Sequence, residues 1–503
     1  MAISLLLDIA TELTPDRVIL GRRDDGVTTT RLARLAAAGA ATLAQQQAAT
    51  LVFIGINGPA FPVVLFAGAL AGVPVSPLNY RLATDALVSL IDRLDKPLIV
   101  ADDVYAEPLR RRCRMVISTD EWLQMCVDSS PAEPAAVGDE DPAVLLFTSG
   151  TTSQPKLVVL RHQHLQAYVL GTVEPGTAHP NDAALVSVPP YHVAGVGTVL
   201  TNLLAGRRLL YLPNFTPHGW LSLVREESVT FAMVVPTMLS RIVDALGAGE
   251  ATLPSIRTIA YGGARMPQPV LERALSLMPD VDFVNAYGLT ETSSTIAVLG
   301  PEDHRNALAS SDPAVRERLG SAGRFVPGVE AQIRTPGPGG AILPSGQKGE
   351  LWVRGDQIAG EYAGLGSALD AEGWFPTKDL ARIDDVGYLF IDGRSDDLII
   401  KGGENIAPAE IEDVLLCHPD VAEVAVVGLP DQEWGERLTA VVVPTADSNP
   451  DVDELRAWVR DRLRSAKTPD TITFRSELPL TDTGKLLRRE LVAELDVARQ
   501  GAT

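Results

Sequence analysis

Short apolar, β-prone runs alternate along most of the chain with stretches whose apolar positions recur at helical spacing. The runs at 51–56, 98–101, 143–147, 184–188, 208–212, 231–235, 257–260 and 282–285 have the length and bounding turns of buried strands. Helices are predicted between them at 61–71, 84–94, 163–171, 196–204 and 267–277. Such alternation implies parallel sheets covered on both faces. At the N-terminus, Leu6, Ile9, Ala10 and Leu13 fall on one helical face while Asp8 and Glu12 interrupt the apolar run, so the segment reads as a helix and not a leader peptide.

Residues 59–78 carry no charge, which is about membrane-spanning length. Pro59, Pro62, Pro74 and Pro77 leave only about 12 residues between breakers, so a buried helix running into a short strand is predicted instead. The texture changes after about residue 320. The stretch 335–355 reads as turns and antiparallel strands, and beyond Asp396 the pattern is that of a small α+β unit. That unit has predicted helices at 408–417 and 452–464, strands near 423–428 and 437–444, and a final strand and helix. A boundary is placed at 394–396. Residues 128–142 read as an exposed connection.

Length and composition narrow the function classes. At 503 residues the chain fits two to four domains on a prior of roughly 150 residues each, and 46% apolar residues supply a sizeable core. The net charge of −21 argues against nucleic acid and against an anionic membrane surface. An anionic substrate would need a local positive patch against this field. Cys113, Cys126 and Cys417 have no metal-ligand spacing and are odd in number, which suits reduced thiols in the cytoplasm.

Four stretches carry candidate chemistry. TSGTTSQPK (148–156) places hydroxyls, a glycine and Lys156 directly after an apolar run, yet the Walker pattern is absent. A phosphate loop and a solvated Ser/Thr turn both answer to that composition. NAYGLTET (285–292) ends in hydroxyl, acid, hydroxyl. Glu291 could hold Mg²⁺ against a phosphate, or Thr290 could cap a helix with Glu291 favouring its dipole. In GWFPTKDLARIDDVGYLFIDGRSDDLIIKGGENI (373–406), Asp379 could accept hydrogen bonds from a ribose diol and Arg394 could bind phosphate or ribose; a carboxylate-rich hairpin is the bland alternative. PLTDTGKLLRREL (479–491) sets Lys485 on a glycine-containing turn, where a lone exposed lysine would serve only solubility.

Taken in order, these four motifs resemble the adenylate-forming superfamily of acyl-CoA synthetases, luciferases and peptide-synthetase adenylation domains, over nearly the whole chain. The look is nearest to bacterial acyl-CoA synthetases. The resemblance implies an α/β fold: a large N-terminal domain, 1–394, of two α/β-layered sheets plus a small β-rich subdomain, and a small mobile α+β C-terminal domain, 395–503. It implies ATP and Mg²⁺ as cofactors, coenzyme A as second substrate, a small-molecule carboxylic acid, and no membrane span. Oligomeric state is not readable.

By the same resemblance, Thr148, Ser149, Gly150, Thr151, Thr152 and Lys156 form the pyrophosphate loop. Gly262, Gly263, Ala264 and Tyr287 frame the adenine. Thr290 contacts the α-phosphate, while Glu291 and Thr151 belong to the metal site. Asp379 holds the ribose with Arg394 beside it. Lys485 meets charge developing at the α-phosphate. Asp396 matches a hinge, Gly403 lines a pantetheine tunnel, Trp434 contacts coenzyme A, and His192 gates the acyl group. The implied activity is an ATP-dependent acyl-CoA ligase for a hydrophobic acid, aliphatic or aromatic. The alternative passes the acyl group to an amine or a carrier-protein arm.

Three positions depart from the family pattern. Ser153 stands where a glycine is usual, TKD at 377–379 replaces TGD, and Ala466 replaces an aromatic. Lys378 could add charge near the nucleotide or face water. Arg265 could pair with a second substrate carboxylate or face solvent.

Overall fold

The computed structural model describes residues 2–148, 155–246, 253–337, 339–402, 404–431, 434–446, 448–463, 465–481 and 486–500. Two large mixed sheets form its body. The nine-stranded sheet runs Arg324–Phe325, Ser294–Leu299, Asp282–Leu289, Thr258–Gly262, Phe231–Val234, Ala183–Val186, Arg208–Tyr211, Val18–Leu20 and Val27–Thr28. It is parallel from Asp282–Leu289 to Val18–Leu20 and antiparallel at both edges. The eight-stranded sheet is parallel across Pro142–Thr148, Val75–Pro77, Thr50–Ile54, Pro97–Ala101 and Val116–Ser118. Its other edge is a run of antiparallel pairs through Lys156–Arg161, Glu361–Tyr362 and Gly366–Ser367.

The parallel centres match the alternation in the sequence. The antiparallel edges, including the strands Lys156–Arg161 and Ser294–Leu299, were not anticipated. Their sequences carry no helix before them to signal a return, so periodicity alone does not separate them from loop.

One hydrophobic cluster contains Phe53 and Leu146 of one sheet together with Val186 and Leu209 of the other, so the helices between them are buried on two sides. This explains Ala60–Ala71, which buries every residue but its last and has no polar face. It runs through a turn into Val75–Pro77, as the proline spacing predicted. The helix Ser4–Leu13 buries Leu6, Leu7 and Ala10, whereas Leu13, expected on that face, is 53% exposed at its end.

A four-stranded antiparallel sheet follows, in the order Glu330–Arg334, Gly349–Arg354, Phe375–Ile383, Leu389–Arg394. The small C-terminal domain is built on the long hairpin of Val421–Asp431 and Gly435–Pro444, with Thr471–Phe474 added in parallel. Alternation along Val421–Asp431 sends Val424 and Val426 to one core and Ala425 and Val427 to another, so helices cover both faces. Among the described residues no helix is long and apolar enough to cross a membrane.

Candidate functional site

Lys156, Glu291, Tyr287, Asp379 and Arg394 gather where strands of the two large sheets end, beside the four-stranded sheet. Thr148 and Lys156 lie opposite each other across the hairpin of Pro142–Thr148 and Lys156–Arg161. Thr148 Oγ1 donates to the Lys156 carbonyl at 3.5 Å. Ser149, Gly150, Thr151 and Thr152, between them, lie outside the described residues.

Lys156 Nζ sits 4.9 Å from the centroid of the Tyr362 ring. Tyr362 Oη donates to Glu291 Oε1 at 2.8 Å. Burial, then the neighbouring Glu291 carboxylate, pushes the Tyr362 phenol well up, so it stays a donor. The main chain of Glu291 is held as well: its carbonyl accepts from Ala359 N at 2.9 Å and Gly360 N at 3.2 Å. Gln357 Nε2 donates to the carbonyls of Thr292 and Thr295 at 3.0 and 2.9 Å. Residues 290–292 form a single 3-10 turn preceded by Leu289, so Thr290 is not an N-cap. None of Gln357, Glu361 or Tyr362 was singled out in the sequence, because nothing local marks GEYAG as more than a turn.

A second group lies beside the first. Tyr287 Oη donates to Asp379 Oδ2, and Arg394 Nε stands 3.9 Å from Asp379 Oδ1. Asp379 and Arg394 face each other in the register of Phe375–Ile383 and Leu389–Arg394. Asp379 is buried, and burial with that carboxylate raises the Tyr287 phenol far above its ordinary range. Arg394 Nε is itself buried without a hydrogen bond. A buried carboxylate and an unused guanidinium donor side by side suit a polar ligand.

Across the sheet, a Cβ on Gly262 would lie 2.3 Å from the Ala286 carbonyl, so only glycine permits the close approach there. Gly263 and Ala264 continue the turn after that strand. Lys378 takes a positive φ of 67°, which costs an L side chain about 1–2 kcal/mol. Its side chain is exposed to water, with the ammonium 3.4 Å from the carboxylate of the buried Glu350, so its charge is partnered there.

His192 precedes the helix Val193–Ala205, half-buried, its ring 4.6 Å from that of Tyr191. That helix covers the sheet through Thr198, whose Oγ1 is 3.8 Å from Met233 Sδ. Arg265 was expected in solvent or on a substrate carboxylate. It pairs with Asp413 of the helix Pro408–Leu416 at 2.6 Å, bridging the large and small domains. Burial pushes the Asp413 carboxyl up to about 6 against the opposing pull of Arg265.

The small-domain candidates are tied among themselves. Lys401 Nζ pairs with Asp470 at 2.7 Å, and Asp470 also accepts from Leu438 N. Gly402 N donates to the Trp434 carbonyl at 2.8 Å. Gly402 has φ of 61°, and a Cβ there would meet the half-exposed Trp434 ring at 3.0 Å. Among the described residues no hydrogen bond or ion pair joins Lys401 or Trp434 to Glu291 or Asp379. Asp396 is exposed on the turn Ser395–Asp397, directly after Arg394. Gly403 and Lys485 lie outside the described residues; Leu480 and Leu486, flanking the latter, pair as an isolated bridge.

Among the described residues no three His, Cys, Asp or Glu side chains cluster as a metal cage. A site of one carboxylate completed by phosphate oxygens and waters is what Mg²⁺ accepts. Glu291 fits it: Oε1 is taken by Tyr362, and no described residue donates to Oε2.

Comparison with known proteins agrees with this geometry. Residues 7–363 match the AMP-binding enzyme family, and residues 410–485 match the AMP-binding enzyme C-terminal domain. The chain is 36% identical over 447 residues to a feruloyl-CoA synthase from an Amycolatopsis species, covering 88% of each chain. It is 31% identical to a fatty acid–[acyl-carrier-protein] ligase of Streptomyces coeruleorubidus, over 88% of this chain and 86% of the other. Among solved structures, the o-succinylbenzoate CoA synthetase of Bacillus subtilis in complex with its acyl-adenylate intermediate superposes with a TM-score of 0.84. It is 28% identical, with 97% of each chain covered.

Proposed function

Because this chain belongs to the AMP-binding enzyme family, we propose that it is an ATP-dependent, AMP-forming acyl-CoA ligase for a hydrophobic carboxylic acid, aliphatic or aromatic. The observation that carries the reading is the arrangement of Lys156 and Glu291 about Tyr362, next to the buried Asp379–Arg394 pair. An ammonium, a carboxylate and a hydroxyl-accepting pair in one place answer to the phosphates, metal and ribose of ATP.

In the first half-reaction a carboxylate oxygen of the acid attacks the α-phosphorus of ATP. The bond to pyrophosphate breaks and an acyl-adenylate forms. In the second, the sulfur of coenzyme A attacks the acyl carbon and AMP leaves. In such chemistry the protein mainly positions groups and neutralises charge. Thr148, Ser149, Gly150, Thr151, Thr152 and Lys156 hold the departing pyrophosphate. Gly262, Gly263, Ala264 and Tyr287 frame the base. Thr290 contacts the α-phosphate, and Asp379 with Arg394 holds the ribose. Glu291 and Thr151 would hold Mg²⁺, which would neutralise charge on the phosphates. His192 gates the acyl group at the head of its helix. Lys485 brings an ammonium to the α-phosphate from the small domain, 395–503, which swings about Asp396 relative to the large domain, 1–394. That swing carries Gly403 and Trp434 to the site for the thiol step.

A second reading, transfer to a carrier-protein arm or an amine, is supported by the carrier-protein ligase relative and by Ala466 in place of an aromatic. Three cysteines without disulfides support a cytoplasmic location. The test is pyrophosphate exchange over an acid panel, then AMP release with coenzyme A, amines or carrier protein as acceptor. The first reading expects exchange with an apolar acid and release driven by coenzyme A. Replacing Lys485 by alanine is expected to lower exchange by about 10²–10³-fold or more while supplied acyl-adenylate is still consumed by the thiol. Full exchange in that variant would sink the proposal.

A further inference from the structure

We infer that Tyr362 is a positioning residue for adenylation: its hydroxyl aims the carboxylate of Glu291 and its ring seats the ammonium of Lys156. This rests on the reading of Glu291 as the Mg²⁺ carboxylate and of Lys156 as a phosphate ligand. Tyr362 belongs to the antiparallel edge of the eight-stranded sheet, pairing in register with Val158. Glu291 follows the strand Asp282–Leu289 of the nine-stranded sheet. One side chain therefore joins the two sheets at the point where their candidate phosphate and metal groups meet.

The geometry sets each partner. A phenol donating to Oε1 at 2.8 Å fixes the carboxylate plane and leaves Oε2 without a described donor. A side chain that bonds a metal-binding carboxylate in this way orients it and tunes its affinity. The aromatic face 4.9 Å from Lys156 Nζ attracts the ammonium without consuming a hydrogen-bond donor, so all three donors of that group remain for phosphate oxygens.

Tyr362 is itself fixed from both sides. Ala363 N donates to the Leu157 carbonyl at 2.8 Å, and Arg161 forks the carboxylate of Glu361 at 2.7 and 2.8 Å. The Arg161 fork and the clamp on the Glu291 carbonyl hold the backbone on either side of the tyrosine in place, as a positioning role needs.

The experiment is a calorimetric titration of ATP at stepped free Mg²⁺, on wild type, Tyr362→Phe, Glu291→Gln, the double variant and Tyr362→Ala. Tyr362→Phe is expected to raise the Mg²⁺ concentration that gives half of the metal-dependent gain in ATP affinity by about 10–100-fold, the usual cost of losing such a partner. ATP affinity without metal should not change in that variant, because the ring under Lys156 remains. It should fall in Tyr362→Ala, which removes the ring. In the Glu291→Gln background, Tyr362→Phe should add nothing, since the two act through one contact. A wild-type Mg²⁺ midpoint in Tyr362→Phe, or a fully additive loss in the double variant, would overturn the inference while leaving the ligase reading intact. A wild type that binds no ATP would overturn the ligase reading, and this inference with it.

Discussion

In the large domain, Glu291 is held by Tyr362 and Asp379 by Tyr287, partners 71 and 92 residues away that arrive from other sheets. In the small domain, Lys401 is held by Asp470 and Gly402 by Trp434, all on or beside one five-stranded sheet. The first group is spread over three sheets and cannot move without breaking several of them. The second is tied mainly within its own domain. The proposed swing of the small domain between half-reactions would need that internal closure. The proposed nucleotide site would need the opposite, since preorganised groups cost no reorganisation when charge develops.

The sharpest way to break this comparison is at Asp379. Replacing it with asparagine removes the buried charge that Arg394 and Tyr287 face. Charge-assisted hydrogen bonds contribute about 1.5–3 kcal/mol, so the KM for ATP in pyrophosphate exchange should rise about 10–100-fold. Loss confined to the thiol step would contradict the division.

Gly402→Ala tests the other region. A left-handed alanine costs about 1–2 kcal/mol, and its Cβ would press on Trp434 at 3.0 Å. Exchange should be unchanged and the thiol step slowed about tenfold, the rate equivalent of ~1.4 kcal/mol. Rapid-quench assays of the two steps would separate them; equal slowing of both would mean that the turn is coupled to the nucleotide site.

The smallest effect is at the ion pair between the regions, Arg265 to Asp413. The Asp413 carboxyl is raised from 3.8 to about 6 in the folded chain, so the folded state binds its proton more tightly than the unfolded state does. That contribution is fully present below 3.8 and lost as pH rises through about 6. Compared with Asp413→Asn, the wild-type melting temperature should therefore fall between pH about 4 and 6 and run parallel above. A difference that grows with pH would show that the ion pair outweighs burial.

Much of the proposed site could be named from the sequence because its residue types are forced by chemistry. Thr148, Lys156, Glu291 and Asp379 sit in short signatures whose order survives any change of loop length. Tyr362 was not legible. A tyrosine in a Gly-Glu-Tyr turn has no local signal, and its role depends on a residue 71 positions earlier. The same holds for Arg265, whose partner lies on another domain, and for Lys378, whose left-handed backbone and buried partner only the strand geometry reveals.

The sequence by itself determined the strand and helix periods, the burial of Ala60–Ala71 and the change of texture beyond residue 320, because periodicity and breakers act over a few residues. Only the tertiary structure decided which strands turn back antiparallel, which phenol aims which carboxylate, and which ion pair crosses between domains. Those contacts join segments far apart in the chain, and the free energy that selects them arises when the sheets pack.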